Sequence, residues 1–152
     1  MKKTTVFPVA CDESLTGGEL LELGKYAWVH RELRRKGLIG VSLPESRIVK
    51  LHMVELVSFE DDLYLGEVFD RFKEEGLERP NIEASLRFGI LYPDEQTKCP
   101  IIFPLDKPIQ SRGDGANLIL VLSEDDGCRV ADVEWMGLCC PAGTTFAAVR
   151  PN

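Results

Sequence analysis

The segment 65–92 contains the clearest change of hydrophobic period in this chain, and it constrains the fold class more than any other feature. Apolar residues first recur at helical spacing and predict an amphipathic helix: Leu65, Val68, Phe69 and Phe72. Gly76 follows where a helix favours a left-handed C-terminal residue. Apolar residues then alternate with others over 86–90, which predicts a β-strand. A chain with both periods is predicted to combine helices with a sheet.

The remaining segments extend this prediction to an α+β fold. A first helix is predicted over 18–36, because Thr16 and Glu19 have the spacing of a capping box. Strands are predicted over 1–14 (an arm or edge strand), 48–59, 101–105 (an edge or irregular strand flanked by prolines), 117–122, 129–136 and 144–149. Asp126-Gly127 is predicted to form the turn of a hairpin. We therefore expect two main helices packed on one face of a mainly antiparallel sheet of five or six strands.

The length of 152 residues fits one domain. Residues 1–47 are predicted to form an N-terminal arm and helix, and 48–152 a helix-plus-sheet core. No run of about 18 apolar residues is present, so we expect no membrane partner. The N-terminus lacks the apolar region of a secretory signal, so we expect a cytoplasmic protein.

The charge is negative overall and unevenly distributed. The formal net charge is -7, yet residues 1–50 contain 9 Lys/Arg against 6 Asp/Glu. The acidic remainder makes a nucleic-acid partner unexpected, since such binding requires a basic surface. The exception is a basic cluster at the end of the predicted first helix: Arg31, Arg34, Arg35 and Lys36. These cations either complement the dipole of that helix or form a phosphate-binding patch, as in a nucleic-acid accessory protein.

The five cysteines have irregular spacing, which indicates free thiols in a reducing compartment. Zinc sites are usually marked by paired short spacings of cysteine or histidine, and this chain has none. We therefore expect no metal and no cofactor.

Two groups of residues are candidates for catalysis. Asp132 and Glu134 lie two apart on a predicted strand, so both carboxylates point to one face, where they could bind Mg²⁺ or share acid and base roles. The alternative is a solvated outer face, with Ala131, Val133 and Trp135 inward. A nucleophilic pair would join His52 to one of three cysteines: Cys11, Cys99 or Cys128.

Arg87 and Tyr92 are the candidate binding residues, because the strand predicted over 86–90 would carry them to the edge between helix and sheet. They could equally be surface residues. The chain contains no Gly-rich phosphate loop, metalloprotease motif or nucleophile elbow.

The segment 54–150 resembles a group of small uncharacterised bacterial proteins. These share a helix that ends in a Lys-Glu-x-Gly-Leu-like cap, a Leu-Arg strand that ends in Tyr, and a later Pro-Ile. The matching residues are Lys73-Glu74-Glu75-Gly76-Leu77, Pro80, Leu86-Arg87, Tyr92, Pro108-Ile109 and the final strand 145–150. The group commonly has Gly-Pro before its Leu-Arg strand, where this chain has Glu83-Ala84-Ser85. The group has no assigned activity, so the resemblance implies an architecture only.

Without a catalytic motif, the sequence favours a binding or accessory module, with another protein as partner, over an enzyme. The alternative is a small hydrolase or transferase that uses Asp132 and Glu134 or a Cys–His pair. A second alternative is a nucleic-acid accessory protein that uses the basic cluster.

Overall fold

A computed structural model describes residues 2–151 and shows an α+β fold around a mixed sheet of eight strands. The ten strands are β1 (Lys2–Cys11), β2 (Trp28–Val29), β3 (Lys50–Ser58), β4 (Leu63–Tyr64), β5 (Ile101–Phe103), β6 (Ile109–Gln110), β7 (Asn117–Asp125), β8 (Cys128–Trp135), β9 (Cys139–Cys140) and β10 (Thr145–Arg150). The four helices are α1 (Gly17–Gly24), α2 (Leu65–Glu74), α3 (Ile82–Leu91) and α4 (Glu95–Lys98).

The large sheet has the order β1-β3-β10-β5-β7-β8-β2, and β6 also pairs with β7. Two of its pairs are parallel, β10 with β5 and β2 with β8, and the others are antiparallel. β4 and β9 form a separate two-stranded sheet. The α+β class is confirmed, while the sheet is larger and more mixed than the five or six antiparallel strands that we predicted.

Helices cover both faces of the sheet, whereas we predicted one. α1 and α3 contribute to a buried cluster with Val9, Val54 and Leu120, on the face that we name the α3 side. α2 contributes to a second cluster with Val57 and Ile119, on the opposite face, the α2 side. Successive residues of a strand point to opposite faces, so the inner strands β3, β5, β7 and β10 supply both clusters.

The first helix is much shorter than the predicted span 18–36. Its capping box is present: Thr16 Oγ1 accepts from Glu19 N at 3.1 Å, and Glu19 Oε1 accepts from Thr16 N at 3.0 Å. α1 nevertheless ends at Gly24, because Lys25 takes a left-handed conformation with φ 53°. The chain then forms β2 and a 3₁₀ helix, Arg31–Arg34. Edge pairing of β2 with β8 replaces the helical continuation.

The strand prediction over 86–90 is wrong, because these residues belong to α3. The Asn81 side chain accepts from Ala84 N at 2.7 Å and starts this helix. α3 buries residues around much of its circumference, including the charged Glu83, so it lacks a simple amphipathic pattern. The amphipathic helix predicted from Leu65 onward is confirmed as α2, which buries Val68 and Phe72. The left-handed residue predicted after it is also confirmed, since Gly76 has a φ of 69°.

Three further strand predictions have mixed outcomes. β5 is an internal strand rather than an edge, because its flanking prolines lie outside the paired residues. β10 also lies inside the sheet, between β3 and β5. The hairpin of β7 and β8 is confirmed: Asp125 pairs with Cys128, and Asp126 and Gly127 have φ of 51° and 80°. None of the helices within residues 2–151 has both the length and the apolar composition needed to cross a bilayer.

Candidate functional site

Asp132 and Glu134 share the α2 side of the sheet, where they pair with Val121 and Ile119 of β7. Asp132 is half-buried and Glu134 is exposed. Asp132 Oδ1 accepts from the backbone N of Val133 at 2.7 Å. Within residues 2–151, His, Cys, Asp and Glu side chains form no group of three or more suited to a metal ion.

Trp135 was predicted to point inward, and that prediction is wrong. Its side chain is 61% exposed and lies at the last residue of β8. Its ring lies against Gly137 instead.

His52 and Cys11 line one cleft of about 410 Å³ on the α3 side of the sheet. Cys11 pairs with Lys50 and Val9 pairs with His52, so the strand register brings the two candidates to the same face. Cys99 and Cys128 are exposed and do not line this cleft. Cys99 Sγ lies 3.3 Å from Thr145 Oγ1.

The chemistry of this cleft disfavours Cys11 as a nucleophile. Burial raises the pKa of the Cys11 thiol to about 12, and the carboxylate of Glu83 adds to the effect. Nucleophilic cysteines react as thiolates, so a thiol with this pKa remains inert near neutral pH. Cys11 therefore behaves as a small apolar residue at the base of the cleft.

Arg87 and Tyr92, the candidate binding residues, make contacts within the fold. Arg87 Nε donates to Glu83 Oε2 and Arg87 Nη2 to Asp12 Oδ1, each at 2.8 Å. A hydrogen bond from the Ser14 side chain, helped by Arg87, lowers the pKa of Asp12. The Tyr92 hydroxyl donates to Pro8 O at 2.6 Å. Both residues tie α3 to β1 and the loop that follows it.

An exposed apolar surface lies on the α2 side of the sheet, and we name it the β1/β3 face. It is formed by Val6, Pro8 and Ala10 of β1 and by Leu51 and Met53 of β3, and the exposed Val49 directly precedes β3. Pro8 pairs with Met53 and Ala10 pairs with Leu51, so these side chains project together. Val6, Leu51 and Val49 are 37%, 50% and 68% exposed.

The β1/β3 face is exposed because α2 is too short to cover the whole sheet. The cluster beneath α2 includes Val57, Phe146 and Ala148, at the other end of the strands. Among the described side chains, β1 contributes residues to the α3-side cluster only. The sequence carried a partial signal for this surface, since Val6, Pro8 and Ala10 are apolar at alternate positions of an edge strand.

The Glu55–Arg150 ion pair borders the β1/β3 face. Arg150 Nε donates to Glu55 Oε1 at 2.8 Å and Arg150 Nη2 to Glu55 Oε2 at 3.1 Å. Glu55 is 3% exposed and pairs with Val6 across the strands. The pair neutralises the buried carboxylate, and the Arg150 side chain, which is 42% exposed, places a guanidinium at the border of the face.

Comparison of the chain with protein-family models, with curated proteins and with solved structures finds no match.

Proposed function

We propose that this protein is a binding module that docks a partner protein on the β1/β3 face. The proposal rests on one observation: apolar side chains of two adjacent strands, β1 and β3, form an exposed surface. The neighbouring half of the same side of the sheet is covered by α2. Contiguous exposed apolar patches of this kind are typical of interaction sites. A single exposed apolar residue such as Leu23 on α1 is ordinary on a protein surface and does not by itself indicate an interaction site.

The occupant that fits this face is an amphipathic helix of the partner. α2 is a ten-residue helix that packs its apolar stripe on the adjacent half of the sheet. On β1 the exposed half spans the five residues Val6 to Ala10, which is about 16 Å at about 3.3 Å per residue. A helix of about 11 residues has this length, at 1.5 Å per residue. The partner helix would thus complete the layer that α2 begins.

The same surface is less suited to a second copy of this chain. Each copy carries a net charge of -7, so two copies repel each other at low ionic strength. A partner with a net positive charge is attracted instead. The proposed partner is therefore a basic protein with an exposed amphipathic helix.

A photo-crosslinking amino acid at position 49 tests this proposal, with the same group at position 23 as the control. Val49 is 68% and Leu23 is 51% exposed, and Leu23 lies on α1. Crosslinking in cell extract followed by peptide sequencing should identify a basic amphipathic segment at position 49 only. Calorimetry should then measure binding of that segment, made as a peptide, to the unlabelled protein.

The double variant Val49→Glu/Leu51→Glu should weaken binding of this peptide by at least about tenfold, because it places two charges on the apolar face. Leu23→Glu should leave the affinity unchanged. The proposal is wrong if position 49 crosslinks only to a second copy, or if it crosslinks to nothing. The proposal is also contradicted if Val49→Glu/Leu51→Glu and Leu23→Glu bind the peptide with equal affinity.

A further inference from the structure

The basic cluster predicted at the end of a helix lies elsewhere. α1 ends at Gly24, so Arg31 and Arg34 belong to a separate 3₁₀ helix and do not complement the dipole of α1. Together with Lys36 and Arg112 they line a depression of about 620 Å³. Arg112 comes from the loop between β6 and β7, so the fold joins cations that are far apart in the sequence.

The charge of this depression is strongly positive. It is lined by five cations, the four named above and Arg35, and by one carboxylate, Glu32, which leaves a local charge of +4. Arg35 pairs with Glu32, which is only 6% exposed. Among the ion pairs of the described residues, none includes the other four cations.

Glu32 organises the depression. Its Oε1 accepts from the backbone N of Arg112 at 3.4 Å, and its Oε2 accepts from Arg35. Burial acts to raise the pKa of Glu32, but the hydrogen bonds from Arg112 and Arg35 outweigh it and lower the pKa. The ionised carboxylate thus holds the 3₁₀ helix against the loop of Arg112.

A second depression, of about 440 Å³, shares Arg31 and Glu32 with the first. Trp135 lines it and is 61% exposed. A Cβ at Gly137 would lie 2.4 to 2.6 Å from three atoms of the Trp135 ring, so the ring is packed against the backbone there. An aromatic side chain that is both packed and exposed offers a surface for stacking.

We propose that the two depressions together bind one free nucleotide. Its phosphates would contact Arg31, Arg34, Lys36 and Arg112, and its base would stack on Trp135. Asp114 and Glu134 line the second depression and would repel phosphate from it while accepting hydrogen bonds from sugar hydroxyls. The net charge of -7 opposes a long nucleic-acid strand, which would extend beyond the local positive region. This site is independent of the β1/β3 face.

The fluorescence of Trp135 provides the test. The chain has two tryptophans, so Trp28→Phe leaves Trp135 as the sole reporter. Titration of this variant with ATP should quench the fluorescence to saturation. Inorganic triphosphate should bind without comparable quenching and should compete with ATP, because it fills only the cationic depression.

Two variants and a control complete the experiment, each made with Trp28→Phe. Arg34→Gln/Arg112→Gln should weaken ATP binding by about tenfold or more, as expected for lost charge-assisted contacts. The matched control Lys73→Gln/Lys107→Gln removes two exposed cations that line neither depression, and should leave ATP affinity unchanged. Trp135→Leu, followed by calorimetry, should weaken binding of ATP but not of triphosphate.

Any of three results would overturn the proposal. The first is that ATP causes no saturable quenching. The second is that the control variant Lys73→Gln/Lys107→Gln loses as much ATP affinity as Arg34→Gln/Arg112→Gln. The third is that Trp135→Leu changes the affinities for ATP and for triphosphate alike. A five-nucleotide single strand that binds where ATP does not would also overturn it, in favour of a nucleic-acid strand.

Discussion

A methyl group added to Gly89 would lie 2.0 Å from the hydroxyl of Tyr26. Gly89 therefore allows α3 to approach the segment that follows α1. The guanidinium of Arg129 lies 4.7 Å from the centre of the Tyr26 ring, and its Nη2 donates to Gly89 O at 2.7 Å. These three residues join α3, β8 and the segment after α1 in one contact, in which Gly89 is buried and Tyr26 and Arg129 are half-buried.

Gly89→Ala should destabilise the fold by about 1–3 kcal/mol, because the new methyl group overpacks this contact. Tyr26→Phe should have a small effect, since the buried Tyr26 hydroxyl has no hydrogen-bond partner among residues 2–151. The double variant should be more stable than the additive sum of the single changes predicts. Urea unfolding of the four proteins measures this coupling, and strict additivity would contradict it.

Gly127→Ala and Gly66→Ala should change stability in opposite directions. A Cβ added at either glycine would meet no atom within 4 Å, so packing does not distinguish the two positions. Gly127 has a φ of 80°, and alanine there should cost about 1 kcal/mol. Gly66 lies in α2, where alanine should add up to about 1 kcal/mol. Thermal unfolding measures both, and a Gly127→Ala variant as stable as wild type would refute the turn geometry.

Stability should fall above pH 9 partly through Cys11. The folded pKa is raised from 9.0 to about 12, so the thiol contributes fully below pH 9 and its contribution is lost as the pH rises towards 12. Within this window the unfolding free energy of wild type should fall relative to Cys11→Ala by up to about 1.4 kcal/mol per pH unit. Parallel curves for the two proteins, from urea unfolding at pH 8 to 11, would contradict this.

Thiol labelling should separate the cysteines into two groups. Cys99, Cys128 and Cys139 are exposed, while Cys11 and Cys140 are buried. Burial also raises the pKa of Cys140 to about 11. Native protein at pH 8 should therefore react rapidly with three equivalents of a thiol reagent, and denatured protein with five. Fast native labelling of Cys11, located by peptide mapping, would argue for the catalytic alternative.

Replacing Asp132 and Glu134 with Asn and Gln should leave stability level or slightly higher, because the change removes two like charges from one strand face. Calorimetry with Mn²⁺ should detect no binding to either protein. Binding to wild type that disappears in the double variant would instead favour the hydrolase or transferase alternative.

Local patterns predicted the elements whose residues interact mainly with close neighbours. The capping box at Thr16, the stripe of α2 and the turn at Asp126-Gly127 are all present, because each depends on residues a few positions apart. α3 was misassigned because its burial between sheet and α1 makes it apolar on several sides. The first helix was overextended because the pairing of β2 with β8 depends on residues about 100 positions away.

The candidate sites depended even more on long-range contacts. The pairing register of β1 and β3 brings the residues of the β1/β3 face together. No local sequence pattern predicts which half of this side of the sheet α2 covers. Arg112 joins Arg31 and Arg34 only through the fold. The sequence did identify the basic cluster itself, although it placed that cluster on the wrong element.

The position of β10 has a consequence for synthesis on the ribosome. β10 separates β3 from β5, yet it follows both in the chain, and 41 residues lie between Phe103 and Thr145. At about 5–20 residues per second, the nascent chain spends seconds with both strands made and β10 still missing from between them. During this interval both strands have unpaired edges that can join those of other nascent chains. Aggregation during expression should therefore depend on elongation rate between β5 and β10.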